Sequence, residues 1–244
     1  MRQAIILAVS GFVLVLLVRL PARWISPLLP HGLHCEQLDG SAWRGSCTGL
    51  TTNTGTLGDL TWELHALQLL RGRLDLGLDL TNGGNYLRGD VALGFGGALH
   101  GREVSLDLPL TSALVSSLPA GAHARLQGTL SRIEWTGKFL TELQGELNIQ
   151  DLVGSQGVAF GNFQASFGAP SGSGSNDGPS GIVHDTGGPL ALEATLQLNH
   201  DPGYVLQGRV AARPSAAPDI TDVIKYLGSP DATGRRPFSL AGTF

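Results

Sequence analysis

In the stretch Leu74-Asp75-Leu76-Gly77-Leu78-Asp79-Leu80, four leucines alternate with two carboxylates and a glycine. A period of two puts every leucine on one side of an extended strand and both aspartates on the other. The same alternation runs through Leu60-Thr61-Trp62-Glu63-Leu64 and Val104-Ser105-Leu106-Asp107-Leu108, and returns at 143–150, 190–198 and 238–244. Strands of this kind lie on an antiparallel sheet with one face on a core and the other in water. The reading is a mainly β chain, an elongated and curved antiparallel meander.

Two stretches break the alternation. Residues 111–118 (TSALVSSL) and 220–227 (ITDVIKYL) predict short helices, the first opened by Thr and Ser, the second with Asp219 as N-cap. Residues 170–188 (PSGSGSNDGPSGIVHDTGG) are of low complexity, and the insert 171–188 is expected to be a flexible loop. Gly94-Phe95-Gly96-Gly97 lacks the third glycine and the following helix of a dinucleotide fingerprint, so a strand bend is expected there.

An internal repeat is visible. Residues 74–80, then Tyr86, then Gly89-Asp90-Val91-Ala92 match residues 192–198, then Tyr204, then Gly208-Arg209-Val210-Ala211. Any two amphipathic hairpins share such features. The alternative is a duplicated meander, over about 56–140 and 141–244.

The amino-terminal segment is different in kind. Residues 4–18 (AIILAVSGFVLVLLV) carry no charge, with Arg2 before them and Arg19, Pro21, Arg23 and Trp24 after. As a helix, residues 3–20 would span about 27 Å, at the short end of what crosses a hydrocarbon core. The rival is a cleaved signal peptide. Its best cleavage site places Leu20 and Ala22 around Pro21, a poor fit to the small residues such a site needs. The expectation is a retained anchor over 1–23 and a β-domain over 24–244. Arg2 and the amino terminus nearly balance Arg19 and Arg23, so loop charge does not orient it.

Cys35 and Cys47 supply the orientation. They are the only two cysteines, and Asp39-Gly40, a favoured turn dipeptide, lies between them. Strands folding back there bring the sulfurs together, and a disulfide implies an oxidising compartment. The domain is therefore expected in the periplasm, with the amino terminus inside. Metal binding is the other reading, because His31 and His34 adjoin Cys35. That spacing lacks the paired ligands of a zinc site.

The chain has 16 basic and 20 acidic residues. Setting aside Arg2, Arg19 and Arg23 of the anchor leaves 13 against 20, net −7. Such a balance argues against nucleic acid and against anionic headgroups as partners. No Gly-x-Ser-x-Gly elbow, phosphate-binding Gly-rich loop or His-x-x-x-His pair is present. Glu134 with Glu142, and Asp219 with Asp222, are the candidate carboxylate pairs. A wet strand face and the first turn of a helix account for them. Trp43 and Trp62 read as core anchors. No catalytic, cofactor-binding or metal-ligating residue is assigned.

Several short motifs carry a family resemblance. They are Pro21-Ala22-Arg23-Trp24, Gly40-Ser41-Ala42-Trp43-Arg44-Gly45, residues 60–64, Leu69-Leu70-Arg71-Gly72-Arg73-Leu74 and the closing Arg236-Pro237-Phe238-Ser239-Leu240-Ala241-Gly242-Thr243-Phe244. With one anchor and 244 residues, the chain resembles protein N of the bacterial type II secretion system, the general secretion pathway. Residues 62–74 also look like the repeat of AsmA-type periplasmic proteins. The first resemblance implies a non-enzymatic component, anchored in the inner membrane. Its expected partners are the inner-membrane platform proteins M and L, and the outer-membrane secretin. The second implies a lipid-handling or envelope-assembly protein with an open apolar groove. A glycan-binding module is a third possibility, but aromatics are only 6% of the chain. Short helices lying on the sheet would plug a groove and favour an adaptor.

Overall fold

The structure, a computed structural model, describes residues 19–24, 32–53, 55–65, 68, 73–94, 97–111, 119–168, 178–199 and 203–243. It divides into two compact units, Met1–Gly84 and Asn85–Phe244. The division falls inside the first copy of the repeat.

The smaller unit contains β1 (His34–Gly40), β2 (Arg44–Thr52), β3 (Gly55–Leu64) and β4 (Leu74–Asn82), hydrogen-bonded in that order. All pairs are antiparallel. The two leucine runs meet directly: Leu60 lies opposite Leu80, Trp62 opposite Leu78 and Leu64 opposite Leu76. Cross-strand pairs of this kind are the unit of sheet stability, each contributing roughly 0.2–1 kcal/mol. A 3-10 turn, Ala22–Trp24, precedes the sheet.

The described residues of the larger unit form nine strands. These are β5 (Asn85–Leu93), β6 (Leu99–Thr111), β7 (His123–Trp135), β8 (Leu140–Val153), β9 (Ala159–Phe167), β10 (Ser180–Gly187), β11 (Leu190–Asn199), β12 (Gly203–Ala212) and β13 (Arg236–Thr243). They pair antiparallel in chain order. One helix, α1 (Pro218–Lys225), stands between β12 and β13. Two apolar clusters hold the unit. Val104, Leu130, Leu143 and Phe167 form the first. Phe163, Leu190, Val210 and Ile220 form the second, with Ile224, Leu227 and Phe238 packed against it. Full burial of each large side chain contributes on the order of 1.5–3 kcal/mol.

Several expectations need correction. Of the loop expected over 171–188, Ser180–Gly187 form a strand, and 171–177 lie outside the described residues. Its glycines misled: Gly181 lies opposite Phe167, and a Cβ there would meet the Phe167 ring at 2.6 Å. Glycine at that position serves close packing rather than flexibility. Thr111 ends β6 rather than opening a helix, and 112–118 lie outside the described residues. The second short helix is present but starts at Pro218, with Ala217 rather than Asp219 as N-cap and no side-chain cap bond. Pro218 fits the first turn, where its missing N–H is not needed. Gly94 and Gly97 belong to the β5–β6 connection, where the Gly94 N–H donates to Ala98 O at 2.8 Å. The β1–β2 turn is centred on Ala42 and Trp43, just beyond Asp39-Gly40. The apolar run 4–18 lies outside the described residues. Among the described residues no helix is long and apolar enough to cross a membrane.

Candidate functional site

Among the described residues, the β12–α1–β13 corner carries three exposed large hydrophobics, Val223, Tyr226 and Leu240, while Leu93 of β5 and Ile182 of β10 are exposed elsewhere. α1 is amphipathic: Ile220 is buried on Val210 and Leu190, while Val223 is 66% exposed and Tyr226, at its C-cap, 91%. Under the helix lies an apolar cleft of about 420 Å³. Val158, Phe160, Leu190, Val210, Ile220 and Ile224 line it, and Asp219 stands at its rim. α1 therefore covers this part of the sheet.

β13 follows and is the end of the strand order, hydrogen-bonded to β12 alone among the described strands. Its outer backbone groups form an open sheet edge. Alternation places Arg236, Phe238, Leu240 and Gly242 on one side. The first two are engaged: Arg236 Nη1 donates to Leu227 O and Gly228 O, at 3.0 and 2.8 Å, and Phe238 packs into the cluster under α1. Gly242 lies opposite Tyr204, and a Cβ there would meet that ring at 2.8 Å. Leu240 remains 53% exposed.

Ionic contacts fix the chain that leads into β13. Asp231 accepts from Thr233 N–H at 2.8 Å, Thr233 Oγ1 at 2.7 Å and Arg235 N–H at 3.1 Å, and Arg209 approaches to 3.3 Å. These bonds, led by the Thr233 hydroxyl, hold its carboxyl below the ordinary Asp range. Arg235 meets Glu193 of β11 at 2.6 Å. Further along, Asp185 of β10 pairs with Arg213 and accepts from Leu192 N–H at 2.7 Å. Burial pushes the Asp185 carboxyl up, but the Leu192 N–H and the Arg213 guanidinium outweigh it, and the net shift is down. Asp107 is held low first by Arg125, at 2.6 Å, and by Gln127. Each shift comes from hydrogen bonds and ion pairs between neighbouring strands and turns.

The candidate carboxylates fall in two places. Glu134 and Glu142 are directly opposite on β7 and β8. Each has its own partner: His100 Nδ1 lies 3.5 Å from Glu134, and Arg132 3.7 Å from Glu142. Asp222 is paired with Lys225 at 2.8 Å, and Asp219 borders the cleft. His34 opens β1 and is exposed. No group of three or more His, Cys, Asp or Glu with metal-site geometry occurs among the described residues.

In the smaller unit Cys35 and Cys47 are joined in a disulfide, with Cα atoms 5.8 Å apart. β2 is irregular beside Cys47, where Gly49 takes φ 68° and the register against β3 shifts. Trp62 lies flat over Gly45, where a Cβ would meet the indole at 2.3 Å, and its Nε1 donates to Ala42 O at 3.2 Å. This contact accounts for the glycine at position 45, the last residue of the motif at 40–45. Sequence reading missed two features. One is the exposed pair Val223 and Tyr226, whose only signal was the width of the apolar stripe in 218–227. The other is the docking of residues 20–22 on the β1–β2 turn. The Ala42 N–H donates to Leu20 O at 2.8 Å, Pro21 bridges Ser41, and Ala22 is 1% exposed.

A family model described as type II secretion system (T2SS), protein N, matches residues 31–239. The type II secretion system protein N of Vibrio cholerae serotype O1 is 28% identical over 236 residues, covering 92% of this chain and 91% of that protein. Its counterpart from Aeromonas hydrophila is 24% identical over 268 residues, covering 99% of each. No solved structure matches. With the family model covering most of its length, the chain belongs to the type II secretion system protein N family.

Proposed function

We propose that this component of the type II secretion machinery is a non-enzymatic adaptor, anchored in the inner membrane with its β-domain in the periplasm. It contacts the platform proteins M and L, with the outer-membrane secretin as a further partner. The observation that carries the reading is the open edge of β13. An edge strand with an exposed leucine and no charge after Arg236 invites a partner strand, with main-chain bonds giving affinity and Leu240 selecting register. Because α1 packs down on the sheet, the corner favours an adaptor over an AsmA-like lipid conduit.

Residues 20–22 support a retained anchor. Cleavage after Ala22 would remove a fully buried residue and the bonds that Leu20 and Pro21 make to the β1–β2 turn. The disulfide supports the periplasmic side.

Removing 237–244 would test the edge poorly, because Phe238 is part of the core. Leu240→Lys is the sharper variant, since lysine on an edge strand opposes further pairing. We expect a folded, membrane-bound protein that no longer co-purifies with M and L and secretes poorly. Unchanged co-purification and secretion would remove this edge from the adaptor role.

A further inference from the structure

We infer that the β1–β2 turn, residues 41–44, is a lipid-facing surface that rests among phospholipid headgroups. The inference builds on the retained-anchor reading and adds which part of the domain meets the bilayer. The uncharged run ends at Val18, and the backbone is already hydrogen-bonded to the turn at Leu20. Two extended residues reach about 7 Å at most. The headgroup layer on each side of a bilayer is roughly 5–8 Å deep. A turn fastened that close to the point of emergence cannot stand clear of the layer.

The fastening has no slack. On one side Leu20 accepts from Ala42, Pro21 bridges Ser41, and Ala22 is buried. On the other, Trp62 donates to Ala42 O at 3.2 Å, and the Leu64 N–H donates to Trp43 O at 2.6 Å. The turn is thereby clamped between the exit segment and β3.

The side chains suit that depth. Arg19, Arg23, Arg44 and Arg73 are exposed, and Trp43 is half-buried. Arg73 precedes β4 at the end of the sheet where β3 finishes. Every arginine described in residues 1–84 lies at this end, whereas the opposite end carries Thr51, Thr52, Asn53 and Asn82. Asp39, Glu63 and Asp75 are also near the turn, and Glu63 is paired with Arg44. Arginine stems and tryptophan are the groups that settle at a membrane–water boundary. The acidity of the whole chain argues against broad binding to anionic headgroups, and the arginines at this end are the local exception.

The test uses the full chain in vesicles of phosphatidylethanolamine and phosphatidylglycerol. Variants carry the photo-cross-linker p-benzoylphenylalanine in place of Trp43, Arg44 or Asn53. Formation of the Cys35–Cys47 bridge reports folding, and Arg44 serves as reporter if the Trp43 variant does not fold. Flotation with the vesicles and resistance to carbonate extraction read the anchor. We expect floated protein, lipid adducts at 43 and 44, and none at 53. A floated, folded protein with adducts at 53, or at no position, overturns this inference and leaves the anchor standing. A protein that does not float overturns both.

Discussion

The two units reach stability by different routes. The larger one buries Val104, Leu130, Leu143 and Phe167 in one cluster and Phe163, Leu190, Val210 and Ile220 in another. The smaller one has four strands, and its fully buried hydrophobics among the described residues are Ala22, Cys47 and Leu50. One of these is a disulfide half and another lies in the segment preceding the sheet. A small sheet exposes too much of its surface for burial alone to hold it, so a covalent staple and close backbone packing take over. The larger unit can lose a contact and still be a folding problem of ordinary kind; the smaller depends on a few fixed points.

The largest effect should come from breaking the larger unit at Phe167. Phe167→Ala removes a core ring on which Gly181 packs, and should cost about 3–5 kcal/mol. Urea unfolding with hydrogen exchange should show residues 123–167 losing protection while 34–64 keep theirs. Equal loss in both units would show that the larger core also supports the smaller sheet. Reduction of the Cys35–Cys47 bridge comes next, at about 3 kcal/mol for so short a loop. Here exchange should quicken in 34–64 and stay unchanged in 123–167. The smallest effect sharpens the role of packing beside the staple. Gly45→Ala forces a Cβ into the Trp62 indole and Asp39 O, which lies 2.7 Å away, and should cost about 1–3 kcal/mol. Tryptophan emission should shift with it. An unchanged spectrum and midpoint would mean that the indole has room to move and that the bridge acts alone.

Alternation made most strands legible, because a period of two states which face is wet. The pairing of Leu60, Trp62 and Leu64 with Leu80, Leu78 and Leu76 is that pattern made physical. The same rule failed at β10. Gly181-Ile182-Val183-His184-Asp185 has a strand's centre, but its first glycine is needed to admit a neighbour's ring, and sequence alone does not reveal a neighbour. The N-cap of α1 was misplaced for a related reason. Asp219 looks like a cap, yet Pro218 starts the helix without a side-chain bond, because Ile220 and Ile224 anchor it from below. At the candidate site, β13 was legible as a strand in the alternation of 238–244. The exposure of Tyr226 was not, since an aromatic in an amphipathic stretch reads equally well as core. The clamp on Leu20 and Pro21 left no trace in composition, because backbone groups make it.

Among the described strands of each unit, each hydrogen-bonds only to strands adjacent in the chain. That order has a kinetic meaning. Sheets that draw together distant segments must lose the entropy of large loops before any contact rewards them, and they fold slowly. Here most pairings close a short connection, the longest being residues 213–235 around α1, and a ten-residue closure takes about 10–100 ns. Assembly can proceed as a zipper, each hairpin serving as template for the next strand, with no step that waits for a remote part of the sequence. The Cys35 and Cys47 sulfurs, twelve positions apart on the first such hairpin, are brought together by one of these local closures, across residues 41–43.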